Sequence, residues 1–447
     1  MSFRENLVNA RSHIIFLIAL AVGIALVIKL EQVKSTSLTT DQSMAQSGQA
    51  DSLMAFDSVT PLPLAITGES SAEDLTNARV AWRYFQNNTN PKTGLANSVD
   101  GYPSTTMWEA GSYFVAVISA DMLGIIEPAE AKARITLALD TFTKVRLFDD
   151  MLPNKAYSVE TGELVDYANK PIERGIGWSA LDISRLIASM GEIEQNYPEL
   201  SPNVAAVMDR WDLSQLVEGG ELFGGNMVDG KLRRDQEGRV GYGQYAAKAL
   251  MLYGYDMYHA YDVTEHLMVK EVNGQPIAVD DRLHRNVTPA FAVSEPYVFD
   301  GLEFGFDTRS HRIATAIYLA QEARFKETGL LTAVSESHLD VAPYFAYASV
   351  WGGGESWAVL SFNGERMDSK RTLATKTAFA SYALFGTDYA NKLVAAVAPL
   401  AEPDRGWAEG IYEIDGKTNT SVTLNTNAII LAALAFRAHG PLIKARK

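Results

Sequence analysis

Carboxyl groups set among aromatic residues and glycines are the side chains of this sequence best suited to chemistry. Four stand out. Asp100 and Glu109 bracket the stretch Asp100-Gly101-Tyr102-Pro103-Ser104-Thr105-Thr106-Met107-Trp108-Glu109, and Glu409 and Glu413 flank Tyr412 in Asp404-Arg405-Gly406-Trp407-Ala408-Glu409-Gly410-Ile411-Tyr412-Glu413. Two carboxyl groups, one protonated and one ionised, are what cleavage of a glycosidic bond requires. Each acid also has a plain structural use. Asp100 suits an Asp-Gly turn, Glu109 suits the positive end of a helix, and Glu409 and Glu413 suit a solvated loop. Asp182 and Arg185, three apart on a helix, fit an ion pair.

The residues around these acids point to carbohydrate. Aromatic faces stack on the C–H faces of sugar rings, amides and carboxylates bond hydroxyls, and glycine lets the backbone approach a ligand. Candidate sugar contacts are Tyr102, Trp108, Asn154, Lys155, Tyr157, Asp166, Tyr167, Trp178, Trp351, Glu355, Trp407, Tyr412 and Asn425. Such loops also plug the ends of helical rings, with indoles as packing and acids as helix caps.

Other chemistries find no support. The histidines (His13, His259, His266, His284, His311, His338, His439) include no i,i+4 pair and no HExxH, so no helical zinc site is expected. Without cysteine there is no thiolate nucleophile, disulfide or iron–sulfur cluster. Gly241-Tyr242-Gly243 lacks the third glycine of a dinucleotide fingerprint, and no GxSxG elbow occurs. No metal and no cofactor are expected. A formal charge of −15, from 39 Lys and Arg against 54 Asp and Glu, argues against nucleic acid as a partner.

The elements that must hold these loops are helices. Apolar residues recur near the 3.6 period over Glu73–Gln86, Met107–Leu123, Pro128–Arg146, Ala180–Glu194, Pro202–Trp211, Tyr242–Tyr261, Ser310–Lys326, Arg371–Phe385, Asp388–Val397 and Thr426–Ala438. Ser71 with Asp74, and Pro128 at a first turn, supply start signals. Hairpins are expected over Val269–Val279 around Asn273-Gly274, and over Ala156–Tyr167 around Thr161-Gly162. The pattern suits an all-α domain over 73–447, either an (α/α)6 toroid of six helical hairpins with short β-hairpins in its loops or an irregular bundle. A toroid gathers its long loops at one end of the ring.

Ahead of this domain, Arg4 and Arg11 precede the uncharged run Ile14–Ile28, closed by Lys29. As a helix it would reach about 22 Å, short for a typical span and long enough for a signal segment. No cleavage site follows closely, so residues 1–30 are expected to be one uncleaved signal anchor, a transmembrane helix. Residues 31–72, rich in Ser, Thr and Gln, are expected to be a flexible linker. This organisation places the protein at the inner membrane, single-pass, with its main domain in the periplasm.

The runs Pro153-Asn154-Lys155-Ala156-Tyr157, Asp166-Tyr167-Ala168-Asn169-Lys170-Pro171 and Gly177-Trp178-Ser179-Ala180-Leu181-Asp182-Ile183 resemble a bacterial domain-of-unknown-function family of exported envelope proteins. Ser104-Thr105-Thr106-Met107-Trp108-Glu109 and Leu424-Asn425-Thr426-Asn427-Ala428-Ile429-Ile430-Leu431 extend the resemblance over most of residues 75 to 438. That family is similar to glucoamylase-like six-hairpin domains. The resemblance implies the (α/α)6 toroid and sugar-active loops, and assigns no catalytic pair.

Three functions fit. One is a glycoside hydrolase acting on an envelope or extracellular glucan, with Glu409 or Glu413 facing Asp100 or Glu109. The second is a polysaccharide-binding scaffold, without catalysis, serving an envelope glycan machinery. The third is a polysaccharide lyase using Tyr242, His311 and Arg312. In each the partner is a polysaccharide or oligosaccharide.

Overall fold

The computed structural model describes residues 54–282 and 291–444. The expected signal anchor lies outside the described residues, as does the first part of the expected linker. No helix among the described residues is long and apolar enough to cross a membrane.

Among the described residues, twelve helices from Ala72 onward build the ring: α1 (Ala72–Asn88), α2 (Met107–Met122), α3 (Pro128–Phe142), α4 (Ala180–Asn196), α5 (Ser201–Met208), α6 (Tyr242–Met251), α7 (Tyr258–Tyr261), α8 (Glu295–Phe299), α9 (Thr308–Thr328), α10 (Thr375–Leu384), α11 (Asp388–Val397) and α12 (Leu424–His439). The even-numbered helices pack side by side in chain order, and α12 closes back on α2. The odd-numbered helices lie outside them, α3 on α2, α5 on α4, α7 on α6, α9 on α8, α11 on α10 and α1 on α12. Six hairpins thus form an (α/α)6 toroid.

Local chemistry explains the layering. The outer α1 opens with a capping box between Ser71 and Asp74 and buries Ala78, Ala81, Trp82 and Phe85 while its other face stays wet. The inner α2 is buried on all sides from Glu109 to Ala120, because it sits between the outer layer and the ring interior. Three inner helices start at a side-chain cap directly after an extended segment: Thr106 caps α2, Ser179 caps α4 and Thr423 caps α12. Small residues let the inner helices approach. A Cβ on Gly111 of α2 would lie 2.9 Å from the backbone of Arg185 on α4.

The ring interior carries charge below the mouth. Arg185 is fully buried and reaches Glu303 at 2.7 Å and the Tyr245 hydroxyl at 2.7 Å. Asp182 is therefore not the partner of Arg185. The two point to different levels of the ring, because Glu303 on the turn after α8 offers Arg185 a buried carboxylate.

Short strands fill the connections. The hairpin expected around Asn273-Gly274 forms as Leu267–Val272 against Gln275–Asp280, with both turn residues at positive φ. Around Thr161-Gly162 the turn also forms, but Ala156–Ser158 pairs chiefly with Ser104–Thr106. Three further features escape the helical periods. Glu221–Val228 and Lys231–Glu237 make a long hairpin around Asp229-Gly230. The stretch expected as one helix, Tyr242–Tyr261, breaks at Gly254, which adopts φ +83°. The five-residue α8 continues as a π-helical turn, Asp300–Phe304, too short and irregular to leave a period.

The expected linker ends well before residue 72. Phe56 and Val59 are buried, and backbone amides of Leu62, Ala65 and Gly68 bond Thr315 Oγ1, Leu384 O and Arg437 O. Residues 56–68 are thus a strap held to α9, α10 and α12 by apolar burial and backbone hydrogen bonds.

The Gly111 contact predicts a cost for added volume at the α2–α4 crossing. Gly111→Ala should destabilise the fold by about 1–3 kcal/mol, read as a lower midpoint in denaturant unfolding. An unchanged midpoint would show that the two helices can part.

Candidate active site

The first turns of the inner helices, with the strands leading into them, bring a set of acids together at one end of the ring. Glu109 is the third residue of α2, and Thr106 Oγ1 hydrogen-bonds its carboxylate. Asp182 is the third residue of α4 and half-buried. Glu237, at the end of the strand Lys231–Glu237, lies across the start of α4 and accepts from Ser179 Oγ at 2.7 Å and from the Ala180 N–H at 2.6 Å. Its carboxylate thus occupies the positive end of the helix that carries Asp182.

The far side of the bowl is built around Lys376. This buried lysine of α10 forms an ion pair with Glu295, the first residue of α8. Glu295 also accepts from Asn425 Nδ2 at 2.7 Å and Ser335 Oγ at 3.0 Å. Glu409 accepts from Thr423 Oγ1 and, at 2.7 Å, from Thr426 Oγ1. Burial would lower the lysine's affinity for its proton, but Glu295, Glu409 and Glu336 outweigh it and raise the pKa.

Two acids of the bowl keep their protons to unusually high pH. Burial pushes Asp182 up to about 8, helped by the negative charges of Glu237 and Glu109 and opposed by Lys155. Burial likewise pushes Glu336 up to about 8, with Glu295 adding to it and Lys376 and the Tyr242 hydroxyl opposing. Both side chains remain half-buried at the bowl surface, which leaves their protons within reach of a ligand. Carboxyls whose environments separate their proton affinities are the material of acid–base catalysis. Among the described residues no cluster of His, Cys, Asp and Glu could hold a metal ion.

Of the four acids proposed from sequence, Glu109 and Glu409 belong to this bowl and two do not. Glu413 is held by Arg324 at 2.6 and 2.8 Å and by Arg371 at 2.7 Å. Burial tends to raise its pKa, but the two arginines win and lower it, so it is no proton donor. Asp100 is gripped by Arg405 at 2.9 and 3.0 Å and by Asn88 at 3.0 Å, a structural lock between two loops.

The sugar candidates divide in the same way. Trp108 lines the ring interior edge-on to Tyr242 and Phe299, Lys155 lies near Asp182 and donates to Asn226 at 2.6 Å, and Asn425 holds Glu295. Tyr167 is 64% exposed at the rim. Below it, the packed bowl and the charges of Asp182, Glu237 and Glu109 raise the pKa of its hydroxyl. Tyr102 stands beside it, bonding Tyr167 O at 3.0 Å. Trp351, half-buried, lies under the Lys270 ammonium.

The remaining candidates are scaffold. Trp178 and Trp407 are buried, their indole N–H groups donating to Phe223 O and Asn77 O. Asn154 ties three backbone groups together, and the buried Tyr157 bonds Arg146 O. Asp166 caps its own turn through the amides of Ala168 and Lys170. Tyr412 donates to Asp340 at 2.7 Å, and Glu355 pairs with Arg366 in the open. The lyase set is dispersed as well, because Arg312 pairs with Asp57 and His311 stacks on Phe306, both on the outer helix α9.

Sequence reasoning missed Glu237, Glu295, Glu336 and Lys376, and misjudged Asp182. A usable signal existed for part of this set. Glu109 and Asp182 each stand three residues after a Thr or Ser cap.

The raised pKa of Asp182 has a thermodynamic consequence. Its folded pKa lies above the unfolded value, so the folded state holds the proton more tightly. The stability this contributes is full below about pH 4 and is lost as pH rises through about 8. Asp182→Asn should flatten the decline of the melting temperature over that window. A slope equal to that of the unaltered protein would show that Asp182 does not titrate there.

The fold has known counterparts. An endo-β-1,2-glucanase from Chitinophaga pinensis superposes with a TM-score of 0.60 at 10% identity, covering 83% of this chain and 94% of that one. A mutant endo-β-1,2-glucanase from Talaromyces funiculosus, solved with β-1,2-glucan, gives 0.55 at 12% identity, over 83% of this chain and 85% of that one. A glucoamylase-like protein from Bacteroides caccae gives 0.57 at 12% identity, over 83% and 95%. At these identities the likeness is one of fold. No protein of curated function matches the sequence. Residues 76–440 match the family described as protein of unknown function DUF3131, and the chain belongs to that family.

Proposed function

We propose that the protein is a glycoside hydrolase acting on a glucan, with Asp182 as proton donor and Glu237 as its partner carboxylate. The observation that carries this reading is the pairing of the two at the start of α4. Asp182 keeps its proton to about 8, while Glu237 accepts two hydrogen bonds at the same helix end. Asp182 gives its proton to the departing glycosidic oxygen, and Glu237 takes one from the water that adds to the anomeric carbon. The second protonated acid, Glu336, donates a hydrogen bond to a sugar hydroxyl across the bowl.

The fold neighbours support a choice of substrate. The Chitinophaga pinensis protein is an endo-β-1,2-glucanase in complex with sophorotriose and glucose, and the Talaromyces funiculosus mutant binds β-1,2-glucan. A β-1,2-linked glucan is therefore the substrate we propose. The crowd of carboxylates around the bowl favours such a neutral chain over an acidic polysaccharide.

We further propose that Ile14–Ile28 holds the chain in the inner membrane with the helical ring in the periplasm. Protease added to spheroplasts should then digest the domain, and full protection of the domain in intact spheroplasts would overturn the orientation.

The catalytic assignment predicts that purified protein releases reducing ends from β-1,2-glucan. Asp182→Asn and Glu237→Gln should each lower kcat about 10²–10⁴-fold while glucan binding persists, as measured by calorimetry. Turnover retained in both variants would remove the pair from the mechanism.

A further inference from the structure

One wall of the bowl is a β-hairpin with an unusual division of its faces. Glu336–His338 pairs with Phe345–Ala348, placing Glu336 opposite Tyr347 and His338 opposite Phe345. Side chains alternate across a strand, so these four share one face. That face is half-buried, whereas Ser337, Ala346 and Ala348 on the other are fully buried against the body. The open face thus belongs to an acid, an imidazole and two aromatic rings.

The rings form a continuous ladder. His338 meets Phe345 edge-on at 5.1 Å between centroids, Phe345 meets Tyr347 edge-on at 5.2 Å, and Tyr347 stacks on Phe291 at 4.1 Å. Phe291 comes from the strand just before α8, which carries Glu295. The ladder therefore lies along the acids of the bowl, with Tyr347 opposite Glu336 and His338 within reach of the charges of Glu109 and Glu295. Each two-residue step along a strand is about 6.8 Å, the scale of a pyranose ring. The edges and faces of the aromatic rings suit the C–H faces of sugars, and His338, whose pKa burial lowers, offers a neutral ring nitrogen to a hydroxyl.

We propose that Phe291, Tyr347, Phe345 and His338 form an extended sugar-binding platform that holds a glucan chain several residues long beside the acid pair. The proposal rests on the glucan reading above and deepens it. A row of rings alongside the acids adds contacts with sugars that flank the cleaved bond, so the protein selects longer chains and cuts within them.

The test is a calorimetric titration of the full chain carrying Asp182→Asn with linear β-1,2-gluco-oligosaccharides from disaccharide to octasaccharide. Affinity should rise with chain length. Adding Phe345→Leu, which keeps an apolar side chain but removes the ring, should weaken octasaccharide binding about tenfold and leave the disaccharide unchanged. Phe345→Trp should retain the length dependence, which separates loss of stacking from loss of folding. A Leu variant with the length dependence of its parent overturns the platform, as does absence of binding at every length. Length-dependent binding by an unaltered protein that releases no reducing ends overturns the hydrolase reading alone.

Discussion

Six helix amino termini share one small bowl, and the electrostatics of that arrangement governs the site. An inner helix that begins at the mouth turns its unpaired N–H groups toward the centre and favours a carboxylate nearby. Glu109 and Asp182 follow Thr106 and Ser179 in this way, and Glu237 takes up the N–H of Ala180. The negative charges of Glu237 and Glu109 lie near enough to Asp182 to disfavour its ionisation. Burial is the larger cause of the protons kept on Asp182 and Glu336, and the negative charges of their neighbours add to it against the pull of Lys155 and Lys376. Acidic groups that stay protonated near neutral pH thus reflect burial among like charges.

The same physics explains why other acids are inert. Asp100, Glu355 and Glu413 lie in loops that also carry arginines, and each is neutralised by a guanidinium. The Glu413–Arg324 pair is bidentate, and guanidinium pairs of these kinds fix the positions of the connecting segments. Deeper inside, Arg185 and Glu303 neutralise one another among Tyr245 and Phe299, at a level the mouth does not reach. The molecule therefore sorts its carboxyls into two populations. Those matched by arginine support the framework, and those crowded with like charge form the bowl.

A ring of helical hairpins tolerates wide sequence change, because its core asks only for small and apolar residues at helix crossings. That is consistent with fold neighbours at 10–12% identity that still superpose over 83% of the chain. Function on such a scaffold depends on what the helix starts and loops present. Here they present an acid pair on one side and an aromatic hairpin wall on the other.

Much of the ring was legible from local pattern. Capping residues such as Ser71 and Pro128, the 3.6-residue periods and the Asn273-Gly274 turn all act over a few residues, and the helices and hairpin follow them. The five-residue α8 and its π-helical turn left no period, so Glu295 and Glu303 went unseen. The roles of the acids lay beyond local pattern for a further reason. A carboxyl's protonation depends on burial and on partners remote in the chain. Asp100 meets Arg405 from 305 residues away, and Glu413 meets Arg324 across 89. Indoles illustrate the same limit, since Trp407 and Trp108 stand in similar aromatic and glycine-bearing sequence and only packing buries one in a strand and sets the other at a helix start lining the ring interior. Sequence alone determined most of the segments that coil, because those interactions are short-range. Tertiary structure decided which acids share a space and which rings face it, because Coulomb interaction and desolvation depend on distance through space.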